Sequence, residues 1–308
     1  MKRLSLLTGI ILISLIPLAC QKTYSLGPLP APASTPTPTA TPNPELNRWS
    51  ANGEVFDVTV DPAGNFYALN TLDPAPFIDK FSATGTPVTQ WGAYGTGNGQ
   101  FSMAWGIAYN PADGLIYVTD SGNSRVQSFQ TSGVYVAQFP TTFAASAIAI
   151  DTSGNLYLGC SGGVEEYTSG GIFITSWGST GSGNGQFYSS PQGLAVDASG
   201  NVFATDGFDH RVEKFNNSGT YLAQWGSNGT GNGQFKLPWG IAVNSAGDVY
   251  VVDQDNDNVQ KFDNNGNFLS KWGGSIGYLN GPSGAWMDAA GHLFIANSVD
   301  SNVVEVQF

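Results

Sequence analysis

A repeat with a period in the forties constrains this chain more than any other feature. A short apolar run closed by Asp or Asn recurs at Asp61, Asn110, Asp151, Asp197, Asn244 and Asp288, at intervals of 49, 41, 46, 47 and 44 residues. A second mark falls at Trp91-Gly92, Trp177-Gly178, Trp225-Gly226 and Trp272-Gly273, with Phe139-Pro140 as the weaker copy. A third is the heptapeptide Gly95-Thr96-Gly97-Asn98-Gly99-Gln100-Phe101, nearly copied at 181–187 and 229–235.

One unit is enough to read the repeat. Gly193-Leu194-Ala195-Val196-Asp197 is a small apolar strand followed by the turn Ala198-Ser199-Gly200-Asn201. Val202 to Asp206, Arg211 to Phe215 and Tyr221 to Trp225 supply three more strands, and residues 226–234 form a glycine-rich crossover. Four antiparallel strands of about five residues cannot bury both their own faces. Units of this kind must stack on copies of themselves, and four strands per forty-odd residues is the period of propeller blades. The expected fold is therefore all-β, a six-bladed β-propeller of four-stranded antiparallel blades. The small residues Gly193/Ala195 and Gly240/Ala242 suit inner strands converging on an axis. Trp286 stands at the phase of those alanines and reads as a gap filler.

Phase also predicts how the ring closes. The last unit offers three strands, 284–288, 292–296 and 303–308, and stops where a Trp-ended fourth is due. Leu46-Asn47-Arg48-Trp49 has the form of that missing outer strand. Pairing the two ends leaves no free edge between them.

These segments resemble the NHL repeat family, with Asp120-Ser121-Gly122-Asn123-Ser124-Arg125-Val126-Gln127-Ser128-Phe129 the nearest single match. The resemblance runs from about Leu46 to Phe308. It implies a six-bladed propeller and says far less about activity. Some propellers related to this family are amidating lyases or lactonases with a metal in the central channel, and some NHL propellers bind RNA.

Residues 1–19 read as a signal peptide: Met1-Lys2-Arg3, then an apolar run from Leu4 to Leu18 that is short for a spanning helix. Leu18-Ala19-Cys20 resembles a bacterial lipoprotein processing site, which makes Cys20 the lipidated residue. Gln21 after it is not the aspartate of an inner-membrane retention signal, so an outer-membrane or cell-surface location is expected. Residues 20–44 are the lipidated cysteine and a Pro/Ala/Ser/Thr-rich tether, and residues 45–308 the propeller. The remaining cysteine, Cys160, falls on a second strand and is expected to be buried.

Charge narrows the partners. Losing Lys2 and Arg3 with the leader moves the net charge from −12 to −14, which repels phosphate and argues against nucleic acid. Of the two histidines, His210 lies in a loop and His292 follows a turn at a different phase, so no histidine metal site is expected. Asp253, Asp255 and Asp257 alternate as calcium ligands do, but the glycine and glutamate of a calcium loop are missing. No cofactor is expected, with a structural calcium left open. Asp120 with Arg125, and Asp206 with Arg211, read either as ties between blades or as ligand contacts at a rim.

The residues that start the inner strands should ring one mouth of the channel: Phe56, Trp105, Ser146, Gln192, Trp239 and Ser283. Aromatics in a concave mouth are good anchors. Phe56, Trp105, Gln192 and Trp239, with Arg125 and Arg211, are thus the expected ligand-binding residues. The alternative is that Trp105 and Trp239 fold back over their own blades. The expected function is a monomeric, non-catalytic envelope scaffold that binds a protein, peptide or glycan and touches the membrane only through its lipid. The competing expectation is a channel-based lyase or lactonase-like hydrolase.

Overall fold

A computed structural model describes residues 45–71, 76–274 and 278–308. The leader, Cys20 and the tether lie outside the described residues. Six four-stranded antiparallel sheets form the ring: residues 55–91, 104–140, 147–177, 194–225, 238–273, and 282–306 joined by 45–50. They are blades 1 to 6 in that order. Among the described residues there is no α-helix, only two short 3₁₀ turns, and no helix long and apolar enough to cross a membrane.

The recurring Asp/Asn is the hairpin device of each blade. Asp61 Oδ1 accepts the N–H groups of Ala63 (2.9 Å) and Asn65 (3.0 Å), turning the inner strand into the second. Asp197 does the same for Ser199 and Asn201, and Asn244 for Ala246 and Asp248. A side-chain oxygen that holds the turn in this way explains why only Asp or Asn recurs there.

Packing is nearest-neighbour. Tyr67, Leu69 and Ile78 of blade 1 cluster with Ile107, Ile116 and Phe129 of blade 2, and Phe101 from the intervening crossover completes the group. Phe187 and Phe235 take the same place between later blades, and all three rings are fully buried. Burying each contributes about 1.5–3 kcal/mol.

The Trp-Gly mark works between blades too. Trp91, Trp177 and Trp225 each cover a turn glycine of the following blade, Gly133, Gly219 and Gly266, at positive φ. Phe139 covers Gly171 in the weak copy.

The ring closes as its phase predicts. Glu45–Ser50 pairs antiparallel with Asn302–Val306, Trp49 opposite Val303. Arg48 from this added strand donates to Asn302 Oδ1 (3.2 Å) and to the Tyr278 carbonyl (2.6 Å).

Trp286 does more than fill a gap in its own blade. It packs both on the cluster shared by blades 1 and 6 and on the cluster shared by blades 2 and 3, so it spans the channel. Cys160 is buried, with its sulfur 3.6 Å from Glu165 Oε2; burial pushes the thiol well above its usual range.

Candidate functional site: an aromatic mouth over a recessed carboxyl

Inner strands start at one end of the channel, and there Phe56 brings the two tryptophans together. Its ring centroid lies 4.6 Å from that of Trp105 and 5.5 Å from that of Trp239, both edge-on at 69° and 87°. Blades 1, 2 and 5 thus meet over the axis. All three residues are half-buried, so the tryptophans do not fold away over their own blades. Edge-to-face contact of this kind adds about 0.5–1.5 kcal/mol per pair beyond area burial.

The polar members of the same ring are engaged locally. Gln192 Oε1 accepts the Gly207 N–H at 2.6 Å, and its Nε2 donates to the Ser190 carbonyl at 2.8 Å. Ser146 donates to the Pro191 carbonyl, and Ser283 to the Phe56 carbonyl at 2.7 Å. Gln192 lines the mouth while its amide fixes a loop of blade 4.

Arg125 and Arg211 are not part of this group. Arg125 pairs with Asp120 at 2.7 Å and donates to the carbonyls of Thr96, Gly97 and Gln100 in the preceding crossover. Arg211 repeats this with Asp206 and the carbonyls of Ser182, Gly183 and Gln186. Neither lines the channel cavity. Of their two expected roles, the geometry fits the tie between blades.

The acidic loop is spent the same way. Asp253 accepts from the Lys236 and Leu237 N–H groups and from Asn256, and Asp257 from the Gly281 N–H. His210 bonds the Lys236 carbonyl through Nδ1, while His292 faces Asp288 and Glu305. Among the described residues, no three His, Cys, Asp or Glu side chains converge as metal ligands would.

Beneath the aromatic trio lies a channel cavity of about 200 Å³, and one residue of its lining was not anticipated: Asp57. It stands at the phase of Gly106, Ala147, Gly193, Gly240 and Gly284, the small residues of the other inner strands. Its Oδ1 accepts the Val58 N–H and its Oδ2 the Ile107 N–H of blade 2, each at 2.9 Å. On the other side is Gly284 of blade 6, where a β-carbon would overlap the carboxyl. Asp57 is half-buried and open only to the cavity, and desolvation inside the channel pushes its carboxyl up to about 7 against the pull of its two backbone hydrogen bonds. A single Asp among five Gly/Ala at one phase is the signal that aligning the inner strands would have exposed.

The same end of the ring carries further exposed apolar side chains. Met103, Phe143 and Tyr188 precede inner strands, and Phe208 and Val299 sit on loops joining second to third strands, which end and begin at that mouth. Tyr188 and Phe208 meet as a tilted pair, centroids 5.6 Å apart. Met103 holds φ at +60°, a strained backbone for a non-glycine residue. The opposite end carries the polar Asp/Asn turns and the hairpins between third and fourth strands, where Val134 and Ile172 are exposed.

The NHL repeat profile matches residues 101–129 and 235–262, each running from a crossover phenylalanine into the third strand of the next blade. This chain carries NHL repeats. No curated protein matches the sequence. Solved structures are similar to the NHL propeller in fold. A Kuenenia stuttgartiensis hydrazine synthase chain aligns with a TM-score of 0.59 at 12% identity, over 89% of this chain and 98% of that one. A Bacteroides thetaiotaomicron protein of unknown function gives 0.63 at 16% identity, over 83% and 69%. Virginiamycin B lyase from Staphylococcus aureus gives 0.59 at 12% identity, over 85% and 88%. At such identities the likeness is one of fold alone.

Proposed function

We propose that this NHL propeller is a non-catalytic binding scaffold of the cell envelope, held there by lipid on Cys20, and that its partner, a protein, peptide or glycan, docks on the aromatic end of the ring. The observation that carries the reading is the meeting of three aromatic rings from different blades at one mouth of the channel. Phe56, Trp105 and Trp239 meet at the centre of one end, and Met103, Phe143, Tyr188, Phe208 and Val299 surround them with exposed apolar surface. Apolar patches rimmed by polar residues mark interaction sites, and aromatic anchors in concave centres dominate their energetics.

The test uses the full chain purified in detergent as bait against solubilised envelope from its source. Beside it run a Trp105→Ala/Trp239→Ala variant and a Tyr188→Ser/Phe208→Ser variant, each checked for intact melting. A partner held by the parent and lost by either variant supports the reading. Equal capture by all three refutes the site. For the anchor, Cys20→Ser is expected to move the protein from the membrane to the soluble fraction.

One observation favours a second reading, a channel lyase or lactonase-like hydrolase. A carboxyl that desolvation inside a channel pushes up to about 7 is suited to general acid–base work. Turnover of a cyclic ester substrate that Asp57→Asn abolishes would decide for it.

A further inference from the structure

We propose that the channel cavity binds a small organic cation, a protonated or methylated ammonium group, with Asp57 as its counter-charge and Phe56, Trp105 and Trp239 as its aromatic wall.

Three features of the cavity converge on that chemistry. Asp57 is the one ionisable residue of the lining, and no Lys, Arg or His among the described residues reaches the cavity to neutralise it. At the same end Arg125 and Arg211 are committed to crossover carbonyls, the His210 ring bonds the Lys236 carbonyl, and the exposed Lys236 is not part of the cavity lining. A carboxylate recessed among apolar side chains without a counter-ion is costly, and a cationic ligand removes that cost.

The carboxyl also has capacity to spare. Each oxygen accepts a single backbone N–H, whereas an ionised carboxylate offers about four acceptor positions. Its place is made by absence: Gly284 leaves room where any β-carbon would strike Asp57.

The wall above has the matching electrostatics. Phe56 immediately precedes Asp57 on the same strand, its ring is edge-on to both indoles, and all three rings line the cavity that holds the carboxyl. Ring faces attract ammonium groups within about 6 Å of the centroid, most strongly for Trp and more so when desolvated. A neutral ligand of the same shape gains neither contribution.

The test needs only the purified chain, so it does not depend on what docks around the mouth. Choline chloride is titrated against dimethylbutanol, its neutral carbon isostere, with calorimetry and tryptophan fluorescence as readouts. Choline is expected to bind saturably and quench the indoles, and the isostere to bind at least about tenfold more weakly. Asp57→Asn, which keeps an acceptor for the Ile107 N–H, is expected to weaken choline several-fold while leaving the isostere unchanged, so the preference narrows. Lowering the parent protein from about pH 8 to about pH 5, where the carboxyl is protonated, should do the same without any substitution. Equal affinity for choline and the isostere, or no saturable binding of choline at pH 8, would overturn the proposal.

Discussion

The indole of Trp49 occupies the space that a side chain on Gly85 would need. Trp91 stands over Gly133, Trp177 over Gly219 and Trp225 over Gly266 in the same way, so the strand that begins the described chain performs the outer-strand role of blade 6. Gly85→Ala meets two penalties: a left-handed backbone at φ +77°, costing about 1–2 kcal/mol, and collision with the indole. Gly291→Ala isolates the first, since its φ is +87° and no atom lies within 4 Å of the added carbon. Thermal melting should show Gly85→Ala well below Gly291→Ala; equal melting points would refute the clasp.

Glu213 supplies a prediction about pH. It holds the phase of Gln127 and Gln260, and like them it accepts a crossover N–H, from Gly185 at 3.0 Å. Those glutamines also donate to the carbonyls of Gln100 and Gln234, while Glu213 Oε2 is buried without a partner. Burial pushes this carboxyl from 4.5 up to about 7. A carboxyl raised on folding favours the folded state most below its unfolded value, and that contribution is lost as pH rises through the folded one. Glu213→Gln supplies the missing donor at every pH. It should therefore raise the melting temperature more at about pH 8 than at about pH 5. The reverse order would exclude a protonated Glu213.

Arg125 tests the tie between blades. Its guanidinium makes a buried ion pair and reaches three crossover carbonyls, so Arg125→Ala leaves Asp120 without its counter-charge, held only by Ser102, Asn123 and Gln127, and should destabilise by about 3–5 kcal/mol. Lysine cannot reproduce the planar fork and should recover only part of the loss. Neither change should affect partner capture by protein that remains folded. Denaturant melts beside the pull-down separate the two effects.

Cys160 should be inert. Burial and the neighbouring Glu165 carboxylate raise its thiol, and only the thiolate reacts. Iodoacetamide followed by mass spectrometry should label it in denatured protein and leave it unmodified in native protein.

Architecture was legible in the sequence because it is written six times. The Asp/Asn turn performs one local task in all six blades, the Trp-Gly mark in four and the heptapeptide crossover in three, and repetition at one phase reveals the task. Ring closure was legible for the same reason, as a missing strand at one end and a spare one at the other. The site was harder to read because it depends on breaks in the repeat. Phase placed Phe56, Trp105 and Trp239 on one mouth, but that Phe56 bridges residues from blades 2 and 5 follows only from channel width. Asp57 interrupts a run of glycines and alanines once, and Trp286 does so once among small residues. Gln192 was legible in position but not in use, since its amide serves a loop of its own blade.

The clasp between Glu45–Ser50 and Asn302–Val306 also sets an order of events. The first blade-forming residues to be synthesised find their partner only when almost the last ones exist. Five blades can assemble by local pairing while the sixth waits, and its closure spans 258 residues at the bond between Asn47 and Glu305. Contacts of such separation slow folding. Completion of this ring is therefore a late step, and a chain interrupted shortly before its end keeps both of its edges open.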